Sequence, residues 1–255
     1  MNDPASATEG LARLLHDAFA SGVPLLQVPS NLVPEGIDDA YRIQERLLLL
    51  RGQRPGGWKV GAKSEAGPIQ GAPLPADGLQ AGPARLDRAR FSVVGLELEI
   101  AFRLGRAFAP KPQGYSNDEV LAGVASFCAA IEVVSSRLAS WPDVDRLVQL
   151  ADLQNHGALA VGGFIDYDKD FPFLLPSLRF RFDGDDIATG KSVNPAGDPR
   201  RLLTWVVNHC TTRGQRFEEG TIVTTGSYTG LHLVRRSGIA EGQIRGLPPV
   251  SLRID

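Results

Sequence analysis

Three glutamates and one lysine stand among neighbours that ordinary surface residues do not have. Glu97 and Glu99 lie in Gly95-Leu96-Glu97-Leu98-Glu99-Ile100-Ala101-Phe102, Glu132 in Ala129-Ala130-Ile131-Glu132-Val133-Val134, and Lys59 in Gly57-Trp58-Lys59-Val60-Gly61. The first stretch alternates as a β-strand does, so Leu96, Leu98 and Ile100 share one face and the two glutamates the other. Carboxylates at i and i+2 of a strand are roughly 7 Å apart, close enough to repel on a partly buried face. Such a face is open to water, balanced by basic neighbours, or bridged by a cation. Glu132 poses the same question more sharply, since an unpaired charge is costly in so apolar a strand. It is either exposed on an edge strand or drawn into a site. Lys59 is either a snorkelling surface residue or a group in a place where flanking glycines let backbone approach closely. Thr225-Gly226-Ser227-Tyr228-Thr229-Gly230, at the end of a β-branched run, is rich in hydroxyl and backbone N–H donors suited to a carboxylate; it is also a plain turn.

Composition narrows the setting for these residues. The 255-residue chain has 43% hydrophobic and 22% charged residues, within the ordinary range for a soluble globular protein with a full core. A formal charge of −2 and the absence of a basic cluster with interleaved aromatics argue against nucleic acid and membrane surfaces as partners. Cys128 and Cys210 sit in apolar surroundings and read as small hydrophobes, not as a disulfide or metal pair. None of the four histidines is spaced like a metal pair, so His156 reads as a hydrogen-bonded structural residue. The first ten residues lack a signal pattern and the longest apolar run, Val120 to Val134, is interrupted by Ser126 and Glu132; a soluble cytoplasmic protein is expected.

The elements that must position the glutamates follow from periodicity and punctuation. Helices are expected over Leu11–Ala20, with Ser6 or Thr8 as N-cap, and over Asp38–Leu50. Together residues 1–55 read as a helical appendage to a mixed-β catalytic domain over 56–255. Gly56–Lys63 reads as a strand. The Gly-, Pro- and Ala-rich segment from Ser64 to Arg90 reads as a loop, of a length that would suit a lid or binding loop over a site. Ser116 with Glu119 forms a capping box opening a helix through about Ser126, and Ala129–Ser135 a strand. Asp143–Asp152 is helix-like, a strand runs to Val161 after Gln154-Asn155-His156-Gly157, and Asp183-Gly184 signals a hairpin after Leu178–Phe182. Asp198 and Pro199 open a helix to about Cys210. Strands over Gly220–Thr225, His232–Arg235 and Val250–Ile254 close the chain, the last two around a turn at Glu241-Gly242.

In this order the segments Tyr41-Arg42-Ile43-Gln44, Gly57–Gly61, Leu96–Phe102, Ala130–Arg137, Ala151–Gly157 and Thr225–Ser227 resemble the fumarylacetoacetate hydrolase superfamily, and within it the 2-keto-4-pentenoate hydratase and 4-oxalocrotonate decarboxylase branch. The resemblance implies an α+β fold, a mixed β-sandwich or roll with peripheral helices, and a homo-oligomer. It implies Glu97, Glu99 and Glu132 as ligands of Mg²⁺ or Mn²⁺, ions suited to all-oxygen sites. Lys59 then matches a catalytic lysine near the substrate oxygens, and Asn155, Thr225, Gly226 and Ser227 match groups that hold the substrate carboxylate. The implied activity is a metal-dependent lyase of aromatic catabolism, hydrating a 2-hydroxy-2,4-dienoate to a 4-hydroxy-2-keto acid. The alternatives are decarboxylation of a 2-keto diacid, C–C hydrolysis of an acylpyruvate, and a non-catalytic family scaffold. Hydrolysis predicts a histidine and glutamate in an early loop, and Ser64–Gly82 has Glu65 but no histidine. Leu153 and Asn155 stand where the branch carries asparagine and a small hydroxyl residue. Asp77 either takes the place of a catalytic aspartate or only makes a turn.

Overall fold

Two long alternating strands form the centre of the molecule, and the rest of the chain is arranged about them in a computed structural model that describes residues 4–188 and 192–255. In chain order, the first half comprises α1 (Pro4–Ser21), α2 (Ile37–Leu50), β1 (Pro55–Ala62), β2 (Ile69–Pro75), β3 (Leu79–Ala81), β4 (Ala84–Leu86), β5 (Val94–Leu104), α3 (Asn117–Leu121) and β6 (Val124–Val134). The second half comprises α4 (Arg146–Ala151), β7 (His156–Val161), β8 (Ile165–Asp166), β9 (Leu178–Phe182), β10 (Asp185–Asp186) and α5 (Arg200–Thr211). It ends with β11 (Ile222–Ser227), β12 (His232–Val234), β13 (Gly238–Ile244) and β14 (Val250–Ile254).

The strands make two mixed sheets. The larger runs β2-β1-β11-β5-β6-β7-β3, with β12 on β5 and β8 on β6; the smaller runs β10-β9-β13-β14-β4. The apolar side of β5 and β6 (Leu96, Leu98, Ile100, Phe102, Ile131, Val133) packs against the smaller sheet through Phe180, Ala240, Val250 and Leu252, forming the main core. This is an α+β sandwich with peripheral helices. On the other side of the large sheet, α1 and α2 join the segment after β6 in a second core built from Leu11, Leu15, Ile43, Leu47, Leu138, Val148 and Leu153. Cys128 and Cys210 are free and buried, and burial pushes each thiol up to about 12. No helix among the described residues is long and apolar enough to cross a membrane.

Several expectations are corrected by the structure. The segment from Ser64 to Arg90 is not a lid: it holds β2, β3 and β4, each the edge strand of a sheet. Edges tolerate proline because one row of backbone donors is unpaired there, so Pro73 and Pro75 fit a strand that composition disguises as loop. The helix after Ser116 keeps its capping box but ends at Leu121, and β6 starts at Val124, before the expected Ala129. Val124, Phe127, Ile131 and Val133 give that segment the β-branched and aromatic character of a strand. The expected turn at Glu241-Gly242 lies in the middle of β13, paired with Ser251 and Val250. Gly242 is there for close approach: a Cβ would sit 2.4 Å from Leu98 Cδ1 of the facing sheet. Helix α1 already begins at Pro4, so Ser6 and Thr8 lie inside it and not at its cap.

Candidate metal centre

Strand register brings the glutamates together. β5 and β6 pair antiparallel with Glu97 directly opposite Glu132, and Glu99 lies two residues further along β5 on the same face. One carboxylate oxygen from each of the three can be chosen so that all lie within 4.8 Å of one another. On the far side of β5, β11 places Thr224 opposite Ala101, and β1 runs parallel to β11 with Lys59 opposite Thr224. Opposed residues of paired strands share a face, so Lys59, Thr224, Glu97, Glu99 and Glu132 all project to one side of the large sheet.

Each carboxylate is held differently. Glu132 Oε1 accepts from Lys59 Nζ at 2.6 Å and lies 3.1 Å from His156 Nδ1, whereas its Oε2 is buried with no partner among the described residues. Glu99 Oε2 accepts from the Thr224 hydroxyl and from Gly226 N at 3.0 Å. Glu97, half-buried, receives no hydrogen bond from the described residues. Electrostatics follow from this. Burial, reinforced by the charge of Glu132, pushes Glu97 up to about 7. Burial together with Glu132 and Glu97 raises Glu99 well above the carboxylate range. Burial would also raise Glu132, but the Lys59 charge and the His156 hydrogen bond outweigh it and hold the group down. Burial disfavours the charge on Lys59, yet Glu132 and Glu97 outweigh that and hold its ammonium above the usual lysine range.

These residues fit a divalent cation. Among the described residues, three carboxylates crowd together with Lys59 as the one cation paired with them, and a buried anionic oxygen, Glu132 Oε2, is left without a donor. Buried charge in that state is costly, and a doubly charged ion in reach of all three would offset it. The donor set is all oxygen, which suits a hard ion.

The triad opens on a cavity of about 1020 Å³, whose wall includes Lys59, Lys63, Gln70, Glu97, Glu99, Glu132, Arg146, Gln149, Gln154, Asn155, Asn194, Gly226 and Ser227. Lys59 is fixed from a second side by the Gln154 carbonyl, 3.1 Å away. That carbonyl belongs to an unusual turn in which Leu153, Gln154 and Asn155 all have positive φ (47°, 54° and 58°). Left-handed non-glycine residues cost roughly 1–2 kcal/mol each, so the surrounding structure must hold them. It does so with a fully buried Asp152, which accepts from Arg137 N at 3.0 Å, from Ser136 Oγ at 3.1 Å and from the Arg137 guanidinium. The same guanidinium donates to the carbonyls of Asp152 and His156.

The substrate-holding residues expected from the sequence divide. Asn155 lines the cavity, its Nδ2 donating to Gln149 Oε1 at 3.2 Å while Oδ1 is buried without a partner among the described residues. Ser227 also lines it, with Oγ accepting from Thr229 N at 3.1 Å. Gly226 lines it too, but its N–H is engaged with Glu99 and so supports a glutamate instead of a substrate. Thr225 is not on the cavity wall: its hydroxyl donates to the Ile100 carbonyl at 2.9 Å. A bulge in β11 between Thr224 and Ser227 gives this stretch one residue more than its partner strand, and Thr224 is the threonine that meets a carboxylate. Asp77 is exposed, 3.1 Å from the Arg51 guanidinium and absent from the cavity wall, so it makes a turn and an ion pair. Missed from sequence were Thr224, the Gln154 carbonyl, and Asn194, whose Nδ2 ties down the Thr225 and Gly226 carbonyls at 2.7 and 3.1 Å.

Known proteins resemble the chain over nearly its whole length. A 2-keto-4-pentenoate hydratase of Paraburkholderia xenovorans (strain LB400) is 25% identical over 253 residues, covering 95% of this chain and 93% of the relative. The TodF product hydratase of Pseudomonas putida (strain F1) is 26% identical over 255 residues, covering 96% and 94%. In fold, the chain is similar to 4-oxalocrotonate decarboxylase from Pseudomonas putida G7, solved with magnesium and adipate, at a TM-score of 0.85 and 20% identity over 97% of both chains. The family model for the fumarylacetoacetate (FAA) hydrolase C-terminal region matches residues 75–253, a span that contains all three glutamates and the Thr225–Ser227 turn, and the chain belongs to that family.

Proposed function

We propose that this chain is a lyase dependent on Mg²⁺ or Mn²⁺ that hydrates a 2-hydroxy-2,4-dienoate, the enol form of a 2-keto-4-pentenoate, to a 4-hydroxy-2-keto acid. The observation that carries the reading is the convergence of Glu97, Glu99 and Glu132 beside a buried lysine, in a chain that aligns end to end with hydratases. Glu97, Glu99 and Glu132 would hold the ion, which supplies Lewis-acid stabilisation of negative charge on the substrate oxygens.

The chain's own residues supply the rest. Lys59 gives two of its three N–H donors to Glu132 Oε1 and the Gln154 carbonyl; the third meets no acceptor among the described residues and can serve a substrate oxygen, where a fixed positive charge favours enolate character. Ser227 and Asn155 stand on the cavity wall to orient the substrate carboxylate. In the overall reaction the dienol proton is relocated to C5, and water adds its hydroxyl to C4 and its proton to C3, so that one water is consumed. Lys59 is the group placed to hold or pass a proton at the oxygen end.

A second reading, decarboxylation of a 2-keto diacid, is favoured by two further cations on the cavity wall. Lys63 and Arg146 line the cavity and have no ion-pair partner among the described residues. Two such cations would suit a second carboxylate. A product assay separates the readings: the protein with Mg²⁺ is offered 2-hydroxypenta-2,4-dienoate, oxalocrotonate and an acylpyruvate, each repeated with EDTA. The hydratase reading expects a 4-hydroxy-2-ketopentanoate product that EDTA suppresses. CO₂ release from oxalocrotonate alone would replace it with the decarboxylase, and turnover unaffected by EDTA would remove the metal from both.

A further inference from the structure

We infer that His156 is a positioning residue which aims Glu132 at the metal, an inference that rests on reading Glu132 as a ligand. Its place is set by an irregularity in the sheet. β6 and β7 pair regularly from Ala130–Val161 to Val133–Ala158, and then Val134 is opposite His156, not Gly157. The extra residue is Gly157. Without it, His156 would fall on the sheet face opposite to Glu132; with it, the imidazole joins the glutamate face. The bulge tolerates only glycine without movement, since a Cβ at 157 would lie 2.8 Å from the Val133 carbonyl oxygen.

The side chain is 1% exposed and does not line the cavity, so it does not meet substrate. Its Nδ1 is 3.1 Å from Glu132 Oε1. A carboxylate oxygen only accepts, so the proton belongs on Nδ1. Together with Lys59, this donor fills both lone pairs of Oε1 and leaves Oε2 as the oxygen with no partner among the described residues, the one able to face an ion shared with Glu97 and Glu99. Backbone on both sides prevents the ring from drifting: Ser135 N donates to the Asn155 carbonyl at 2.8 Å, and Arg137 donates to the carbonyl of His156 itself. Two donors fixed on one oxygen leave the other as the metal-facing atom. With Lys59 alone, the carboxylate would be free to rotate and to engage the ammonium through either oxygen.

The test uses Mn²⁺ affinity of the full chain, measured by calorimetry, and does not depend on turnover. His156→Leu keeps volume and removes the donor; His156→Asn keeps an N–H near the position of Nδ1 and loses the ring. Leu should weaken Mn²⁺ binding about 10- to 100-fold, the range usual for partners of a metal ligand, while Asn stays within about threefold of the wild type. Unfolding of all three in EDTA separates lost binding from lost fold. Equal affinity of His156→Leu and wild type overturns the inference, as does Asn binding no better than Leu, which would mean that the ring only fills space. Nitrogen NMR of the wild type with Mg²⁺ needs no variant: the proton is expected on Nδ1, and a proton on Nε2 alone would overturn the assignment. If the wild type itself takes up no Mn²⁺, the metal reading falls and this inference with it.

Discussion

The two faces of β5 and β6 are made from alternate residues of the same strands, yet they obey opposite rules. Toward the smaller sheet, Leu96, Leu98, Ile100, Ile131 and Val133 are fully buried hydrocarbon, close enough to the facing sheet that β13 needs glycine opposite Leu98. Toward the cavity, Glu97, Glu99 and Glu132 place charge where burial disfavours it. The first face gives the strands their stability and fixes their register, and the register then holds three mutually repelling carboxylates within 4.8 Å. Strain and buried charge persist only where the surroundings over-determine them. Period two therefore keeps the stabilising and the chemical residues of one strand apart, so that a change on either face can be read separately.

The largest effect should come from Glu97→Ala. Glu97 receives no hydrogen bond from the described residues, so under the proposed ligation its removal takes away a metal interaction and little else. Mg²⁺-dependent turnover should fall below detection, and Mn²⁺ affinity should drop by more than the roughly 100-fold that outer partners carry, with unfolding in EDTA no easier than for the wild type. Full activity in this variant would break the ligand assignment. Lys59→Met should follow, lowering kcat by about 10²–10⁴-fold, the range for a group that handles a proton or a developing charge, while metal affinity changes much less. An unchanged rate would remove Lys59 from the mechanism. On the other face, Leu98→Ala should cost about 3 kcal/mol in denaturant unfolding, with the Mn²⁺ affinity of the folded protein intact. A tenfold loss of affinity in that variant would mean that the two faces are coupled.

The same contrast explains what could be read in the sequence. Glu97, Glu99, Glu132 and Lys59 stood out because a charge in an apolar alternating stretch is anomalous wherever the stretch lies in the fold. The central strands, α1, α2, the Ser116 capping box and the Asp183-Gly184 turn were legible for an equally local reason, namely periodicity or turn chemistry within a few residues. What was not legible depends on pairing. Thr224 and Thr225 are adjacent and chemically identical, and only the bulge beside β5 decides which one meets Glu99. His156 reads from sequence as a hydrogen-bonded structural residue, and its buried ring is hydrogen-bonded, but its partner Glu132 was hidden because nothing local says that Gly157 is an extra residue opposite Val133 and Val134. β2, β3 and β4 were hidden because an edge strand accepts the prolines and glycines that a local reading assigns to loops. The positive φ of Leu153, Gln154 and Asn155 is held through Asp152 by Arg137, which lies 15 residues away in the chain and so is invisible to a local reading.

The smallest effect is the most specific to the charged face. If Glu97, Glu99 and Glu132 are held together against their own repulsion, removing one charge without changing shape should stabilise the protein when no metal is present. Two unit charges at about 5 Å repel by roughly 3 kcal/mol at the effective dielectric of a protein site, and Lys59 cancels part of that. Glu97→Gln is the suitable variant, because its amide keeps the volume and breaks no hydrogen bond with the described residues. In EDTA at pH 8, where a carboxyl held near 7 is largely ionised, its unfolding free energy should exceed the wild type's by about 1 kcal/mol. With saturating Mg²⁺ the order should reverse, since only the wild type gains the binding free energy of the ion. A Leu98→Ala control should be weaker than the wild type in both conditions and show no reversal. If Glu97→Gln were destabilised in EDTA as well, the carboxylates would not be in conflict, and the two faces of the strand would differ in composition but not in the rule that governs them.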